Sequence, residues 1–296
     1  MDYWEKPEHN LVLCVGSARI RYLFPYAHDR EMQTTWILPW AMADKPYTQQ
    51  VSLAADYTIC VGGASPGDID YLENLGGVKF CLHTEPAELC RESPSVARFT
   101  NNAPELPNTW WAPPLLFWSP PTSNPKSRKC SAIESGKYSW RNQLLKRMNK
   151  MVGGLDGYGK FFRRKLFGAH GRDDTDNQKY LGLRDYAFSI GIENNQILDY
   201  FTEKFADVIL NEAVPVYQGV LNWRDYFLPE CFVPLADADK IDWNHWPKEY
   251  ARRRPAVLAQ REILRKRLNI FRYFTAIAEK PDLLSRRRPI TIHTPI

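Results

Sequence analysis

Residues 192–204 read I-E-N-N-Q-I-L-D-Y-F-T-E-K, a polar stretch between two apolar ones. Before it, residues 186–192 form a near-continuous apolar run that suits a strand covered on both faces. After it, Phe205, Val208 and Ile209 stand three and four apart within residues 202–211, the pattern of a helix with one buried face. Thr202, Glu203 and Lys204 then fall in the first turn of that helix. Free backbone N–H groups and the positive end of the helix dipole make such a start an anion site, to which Lys204 adds a full charge. Glu203 can accept hydrogen bonds from ribose or sugar hydroxyls. Pattern alone leaves the plainer alternative open, in which Thr202 caps the helix and Glu203 and Lys204 are solvated.

The elements that must hold this segment are those of an α/β protein. Residues 11–15, 57–61, 78–82, 186–192 and 214–217 read as strands. The last two, with the helix between them, make a βαβ unit. Residues 101–136 interrupt the pattern with prolines, Asn101-Asn102 and a Ser/Lys-rich stretch, marking a domain boundary. The expectation is two Rossmann-like halves, with a ligand at the C-terminal ends of the strands. The boundaries are 1–127 for an N-terminal domain, 128–250 for a C-terminal domain and 251–296 for a basic helical tail.

Composition narrows the class. A chain of 296 residues with 44% hydrophobic and 25% charged residues can bury a core without staples. No apolar run reaches the ~18 residues of a membrane span. The first residues show no signal-peptide pattern, so the expectation is a cytoplasmic protein. Six cysteines, none in a C-x-x-C pair, read as reduced structural thiols. The net charge of +5 is uneven: residues 251–296 hold 12 Lys/Arg against 3 Asp/Glu, or +9, leaving −4 for the rest. Arg252, Arg253, Arg254, Arg261, Arg265, Lys266, Arg267 and Arg272 interleave with apolar residues as in a basic amphipathic helix. That helix is expected to pack back on the N-terminal domain, with peripheral membrane contact as the alternative and nucleic acid disfavoured.

Three other motifs compete. Residues 154–161 nearly spell a P-loop, but Phe161 replaces the Ser/Thr that would bind Mg²⁺. Asp174/Asp176 and Asp237/Asp239 are D-x-D pairs of the kind that hold a divalent cation, or simply acidic turns. Gly62-Gly63 and Gly67 follow a strand and suit either a close ligand approach or a turn.

Residues 188–219, with I-E-N-N, D-Y-F-T-E-K-F and A-V-P-V-Y-Q-G in order, resemble the signature of the α-1,3/1,4-fucosyltransferases, glycosyltransferase family 10. Residues 226–235 (YFLPECFVPL), Arg141 within W-R-N-Q, and L-D-G-Y-G at 155–159 extend the resemblance. The H-T-E-P run from His83 to Pro86 is similar to the family's acceptor-side segment. The resemblance implies a GT-B-like fold, two Rossmann-like domains facing a cleft. It implies an inverting transfer of fucose from GDP-fucose to a hydroxyl of an N-acetylglucosamine- or glucose-containing glycan.

By the same resemblance, Arg141 and Lys204 would answer the diphosphate, while Asn194, Tyr200 and Glu203 line the donor pocket. Glu85 would be the base, and Glu203 a second catalytic group through the sugar hydroxyls. Glu193, Tyr158, Lys160 and His83 are lesser candidates, with Glu193 bracing the loop and Glu88 standing behind Glu85. No metal site and no cofactor are implied, a divalent cation being at most non-essential. Ile192 stands where the family has Phe, and Lys160 where it has Arg; the two basic side chains are not interchangeable at a phosphate. The remaining alternatives are a metal-dependent glycosyltransferase with another nucleotide sugar and a non-catalytic sugar-nucleotide or glycan-binding protein.

Overall fold

The computed structural model describes residues 126–163, 178–198, 200–266 and 268, and the backbone of six strands before them. Those strands are β1 (Asn10–Gly16), β2 (Tyr26–Asp29), β3 (Thr34–Ile37), β4 (Tyr57–Val61), β5 (Val78–His83) and β6 (Ala97–Thr100). They form one sheet in the order β2-β3-β1-β4-β5-β6, parallel except where β2 runs against β3. The runs at 11–15, 57–61 and 78–82 are thus three adjacent strands.

A second sheet holds β7 (Arg128–Ile133), β8 (Asp156–Tyr158), β9 (Tyr186–Ile192), β10 (Val214–Gln218) and β11 (Val233–Pro234). Its order is β11-β10-β9-β7-β8, and every pairing is parallel. The protein is therefore α/β, as expected. The expected linker, 101–136, overran into β7. That strand escapes an apolar scan because it reads R-K-C-S-A-I. It can nevertheless be buried, since Ser131 Oγ donates to Ser189 Oγ of β9 at 3.0 Å and leaves neither hydroxyl unmet.

Three helices are described: α1 (Ser139–Val152), α2 (Glu203–Leu210) and α3 (Trp246–Lys266). On α1, Arg141, Leu145, Met148 and Val152 make one buried stripe at helical spacing. Gly153, at φ +69°, ends the helix: its N–H and that of Gly154 donate back to Lys150 and Asn149. On α2 the burial exceeds the single face expected, since every residue from 205 to 210 is buried. The cause is α3, which lies against α2 and strands β9 and β10. Phe227 and Phe232 close the remaining side, with Phe227 stacked on Phe205 at 3.6 Å between ring centroids.

Of the expected tail, residues 251–266 and 268 are described. This part packs on the C-terminal sheet, and three of its arginines bond inward. Arg253 donates to the Phe232 carbonyl at 2.9 Å, Arg254 pairs with Glu212 at 3.3 Å, and buried Arg261 donates to the Leu210 carbonyl at 3.3 Å. Two of these acceptors are main-chain carbonyls, so the guanidinium groups add hydrogen bonds to the apolar contacts of Tyr250, Val257 and Leu264. Among the described residues no helix is long and apolar enough to cross a membrane.

Candidate functional site

From β7 the chain passes through α1 to β8 on one side, then returns to place β9 on the other side of β7. The C-terminal ends of β7 and β9 thus flank a topological switch point, the place where open parallel sheets receive ligands. The motif segment leaves β9 at this point and Arg141 sits in the first turn after β7.

Arg141 is buried, and its guanidinium spans the gap. Nη1 donates to the Ile192 carbonyl at 3.1 Å and lies 3.3 Å from Glu134 Oε2; Nη2 donates to Asn194 Oδ1 at 2.9 Å. The Tyr138 ring lies 4.4 Å from its guanidinium carbon, a cation–π contact. Its Nε is buried without a hydrogen-bond partner among the described residues.

Glu193 lies between those two anchors, with no exposed side-chain surface. It accepts from the Thr202 N–H at 2.8 Å, the Thr202 hydroxyl at 2.7 Å and the Tyr217 hydroxyl at 3.1 Å, and pairs with Lys204 at 3.2 Å. One carboxylate therefore ties the strand end to the helix start. Lys204 also reaches Thr202 Oγ1 at 3.0 Å and Glu203 at 3.3 Å. Ile192, Glu193 and Asn194 are consecutive, so Arg141 and Lys204 are anchored side by side on one loop.

The charges in this turn reinforce one another. Burial disfavours ionising Glu203, but Lys204, then Lys179, then a Thr202 hydrogen bond hold it well below the usual carboxylate range. Burial likewise opposes the charge on Lys204, and Glu193 and Glu203 outweigh it, raising its pKa above the usual ammonium range. Both groups are thus charged at neutral pH, with Lys204 only 23% exposed. Burial, then Glu193, pushes the Tyr217 phenol far up and keeps it a donor.

Close packing fixes the helix start on the strand. A Cβ at Gly191 would lie 2.4 Å from the Lys204 carbonyl oxygen, so only glycine lets the first turn of α2 rest on β9. On the neighbouring edge Gly159 has φ +93° and its missing Cβ would meet the Glu134 carbonyl at 2.4 Å, which gives the D-G-Y-G run its glycine.

Of the expected site residues, Arg141, Asn194, Glu193, Glu203 and Lys204 come together here, with Tyr200 buried beside Lys204. Tyr158 is turned elsewhere: its hydroxyl meets that of Tyr186 at 2.6 Å and Arg128 Nη1 at 3.4 Å. Lys160 is exposed and joins no part of this cluster in a hydrogen bond or ion pair. His83 ends β5, with its backbone paired to Thr100 of β6. Glu85 and Glu88 lie outside the described residues, as do Asp174, Asp176, Gly62, Gly63 and Gly67.

The P-loop reading fails, because residues 156–158 are strand β8 where a phosphate loop would have to be. Asp237 lies in a short 3-10 turn and bonds Lys240. Glu134, Tyr138, Tyr217 and the pair of Lys179 with Asp207 were not expected. Tyr138 stands three residues before Arg141, a spacing that offered a signal. Glu134 offered none beyond ending a strand.

The second sheet is thus an α/β domain of parallel strands with Arg141 and Lys204 gathered at its switch point, where such sheets receive ligands. Residues 125–242 match the C-terminal family model of glycosyltransferase family 10 (fucosyltransferase). This part of the chain is similar to that family. An Arabidopsis thaliana protein described as fucosyltransferase-like is 25% identical over 182 residues, 60% of this chain and 32% of its own length. The chain thus spans about a third of the curated relative it matches. Crystal structures of an α1,3-fucosyltransferase, one of them with GDP-fucose, are 14% and 16% identical with TM-scores of 0.44 and 0.43. Those likenesses cover 97% of this chain and 94% and 93% of the others.

Proposed function

We propose that the protein is an inverting fucosyltransferase that moves fucose from GDP-fucose to a hydroxyl of an N-acetylglucosamine- or glucose-containing glycan. The observation that carries this reading is the convergence of Arg141 and Lys204 on consecutive residues of one loop at the switch point, inside the family-matched segment. Two cations and a helix start supply the charge stabilisation that a departing diphosphate needs. Glu203, held ionised, is suited to accept from ribose or fucose hydroxyls. Asn194 and Tyr200 complete the donor side.

Glu85, two residues beyond the end of β5, is the proposed base. It takes the acceptor hydroxyl proton as that oxygen bonds the anomeric carbon and the bond to GDP breaks on the opposite face. Glu85→Gln should lower kcat by roughly 10²- to 10⁴-fold and leave GDP binding intact. Near-native turnover would pass the role to Glu88 or His83.

The direct test is turnover of a nucleotide-sugar panel with Galβ1-4GlcNAc and Galβ1-3GlcNAc as acceptors. Transfer from GDP-fucose that persists in EDTA is expected. Preference for a UDP-sugar would overturn the donor assignment, and abolition by EDTA with rescue by Mn²⁺ would return charge neutralisation to a metal.

A further inference from the structure

Arg141 and Lys204 each meet a buried carboxylate before any ligand arrives. Glu134, at the end of β7, lies 3.3 Å from Arg141, and both side chains are 5% exposed. Glu193, at the end of β9, lies 3.2 Å from Lys204. With Glu203 also on Lys204, two cationic side chains face three carboxyl groups. A site of this composition does not attract bare anions, although its geometry is that of an anion site.

Glu134 differs from Glu193 in what else it does. Glu193 caps α2 through Thr202, so its removal would undo the turn itself. Among the described residues, Glu134 Oε1 accepts from Ser135 Oγ and the Gly136 N–H, both at 3.1 Å within its own turn, and its Oε2 is turned to Arg141. The Arg141 guanidinium keeps its place through the Ile192 carbonyl and Asn194 independently of Glu134.

We propose that Glu134 is a specificity-determining residue: the resident counter-ion of Arg141, which a phosphate must displace, so that polyphosphate anions lacking the base and sugar are rejected. This rests on the donor reading above. The discrimination works by leaving a charge pair in place that only a ligand with further contacts can afford to break. Uniform electrostatic attraction would instead take up any diphosphate.

The test compares wild type with Glu134→Gln, which keeps the turn's acceptor and removes the charge. Inorganic pyrophosphate and GDP are titrated by calorimetry, and melting is followed with and without pyrophosphate. Pyrophosphate should bind the variant at least about tenfold more tightly than wild type, and GDP should gain by a similar factor, because both ligands break the same pair. The ligand-free variant should melt lower, because a buried guanidinium has lost its partner, and pyrophosphate should raise its melting temperature more than that of wild type.

Unchanged or weaker pyrophosphate binding by a folded Glu134→Gln protein would overturn the proposal. Should that variant not fold, Glu134→Asp draws the carboxylate back by one methylene and must shift pyrophosphate in the same direction, by less; weaker or unchanged binding there counts equally against it. Wild type that binds no GDP would instead defeat the donor reading, while the pyrophosphate comparison would still decide the role of Glu134.

Discussion

Two strand-to-helix turns flank the switch point, and they are built differently. The turn from β9 to α2 is local: Glu193, Thr202, Glu203 and Lys204 satisfy one another within twelve residues, joined among the described residues by Tyr217 from the next strand. The turn from β7 to α1 has no side-chain cap at its helix start, and its key cation is held by residues 51 and 53 positions away. A site assembled from one local and one long-range turn should lose fold and function in different proportions at its two cations.

The largest effect is expected at the long-range turn. Arg141→Ala leaves Glu134 buried without its partner and the Ile192 carbonyl without its donor, so urea unfolding should show a loss of about 3–5 kcal/mol. GDP binding should fall as well. A stability loss at Arg141 no larger than that at Lys204 would erase the contrast.

The next effect concerns pH and lies one turn into α2. Burial lifts Asp207 to about 6 from an ordinary 3.8, against the pull of its partner Lys179. Between those values the folded protein keeps a proton that the unfolded chain releases. Stability from this group therefore falls as pH rises from about 4 to 6 and is level above, by up to about 3 kcal/mol. Glu203 works in the opposite sense: held low, it adds stability above its ordinary 4.5 that is lost on acidification. Melting curves across pH 2–7 should separate the two, because the Glu203 loss lies below about 4.5 and Asp207→Asn removes only the slope between about 4 and 6. An unchanged profile in that variant would show that Asp207 titrates normally.

At the local turn, Gly191→Ala should cost about 1–3 kcal/mol, since its Cβ meets the backbone of α2 rather than a movable side chain. Lys204→Ala should cost least in stability, about 1 kcal/mol, because Lys204 is partly exposed and Glu193 keeps Thr202 and Tyr217. Its function should suffer most visibly: donor affinity and kcat should both fall. A Lys204→Ala protein as unstable as Arg141→Ala would mean the ammonium, not the cap, holds the turn.

The same contrast explains what could be read in the sequence. β9 is apolar throughout and α2 follows a Thr cap, so the strand, the helix and the first-turn positions of Thr202, Glu203 and Lys204 were legible from spacing, while Glu193, Asn194 and Tyr200 entered only through the resemblance. β7 was not, because its buried Ser131 is satisfied by Ser189 fifty-eight positions on, and a hydropathy scan sees only a polar residue. The partners of Arg141 were hidden for the same reason: only the fold brings Glu134 and Asn194 to it. In the tail, the inward contacts of Arg253 and Arg261 could not be read from spacing, because their acceptors are main-chain carbonyls of residues far off in the sequence.

If this switch point receives a guanosine diphosphate sugar, calorimetry of the full chain with GDP, UDP and ADP should show GDP bound and UDP and ADP at least about tenfold weaker, a difference of about 1.4 kcal/mol. UDP binding equal to or tighter than GDP would contradict it.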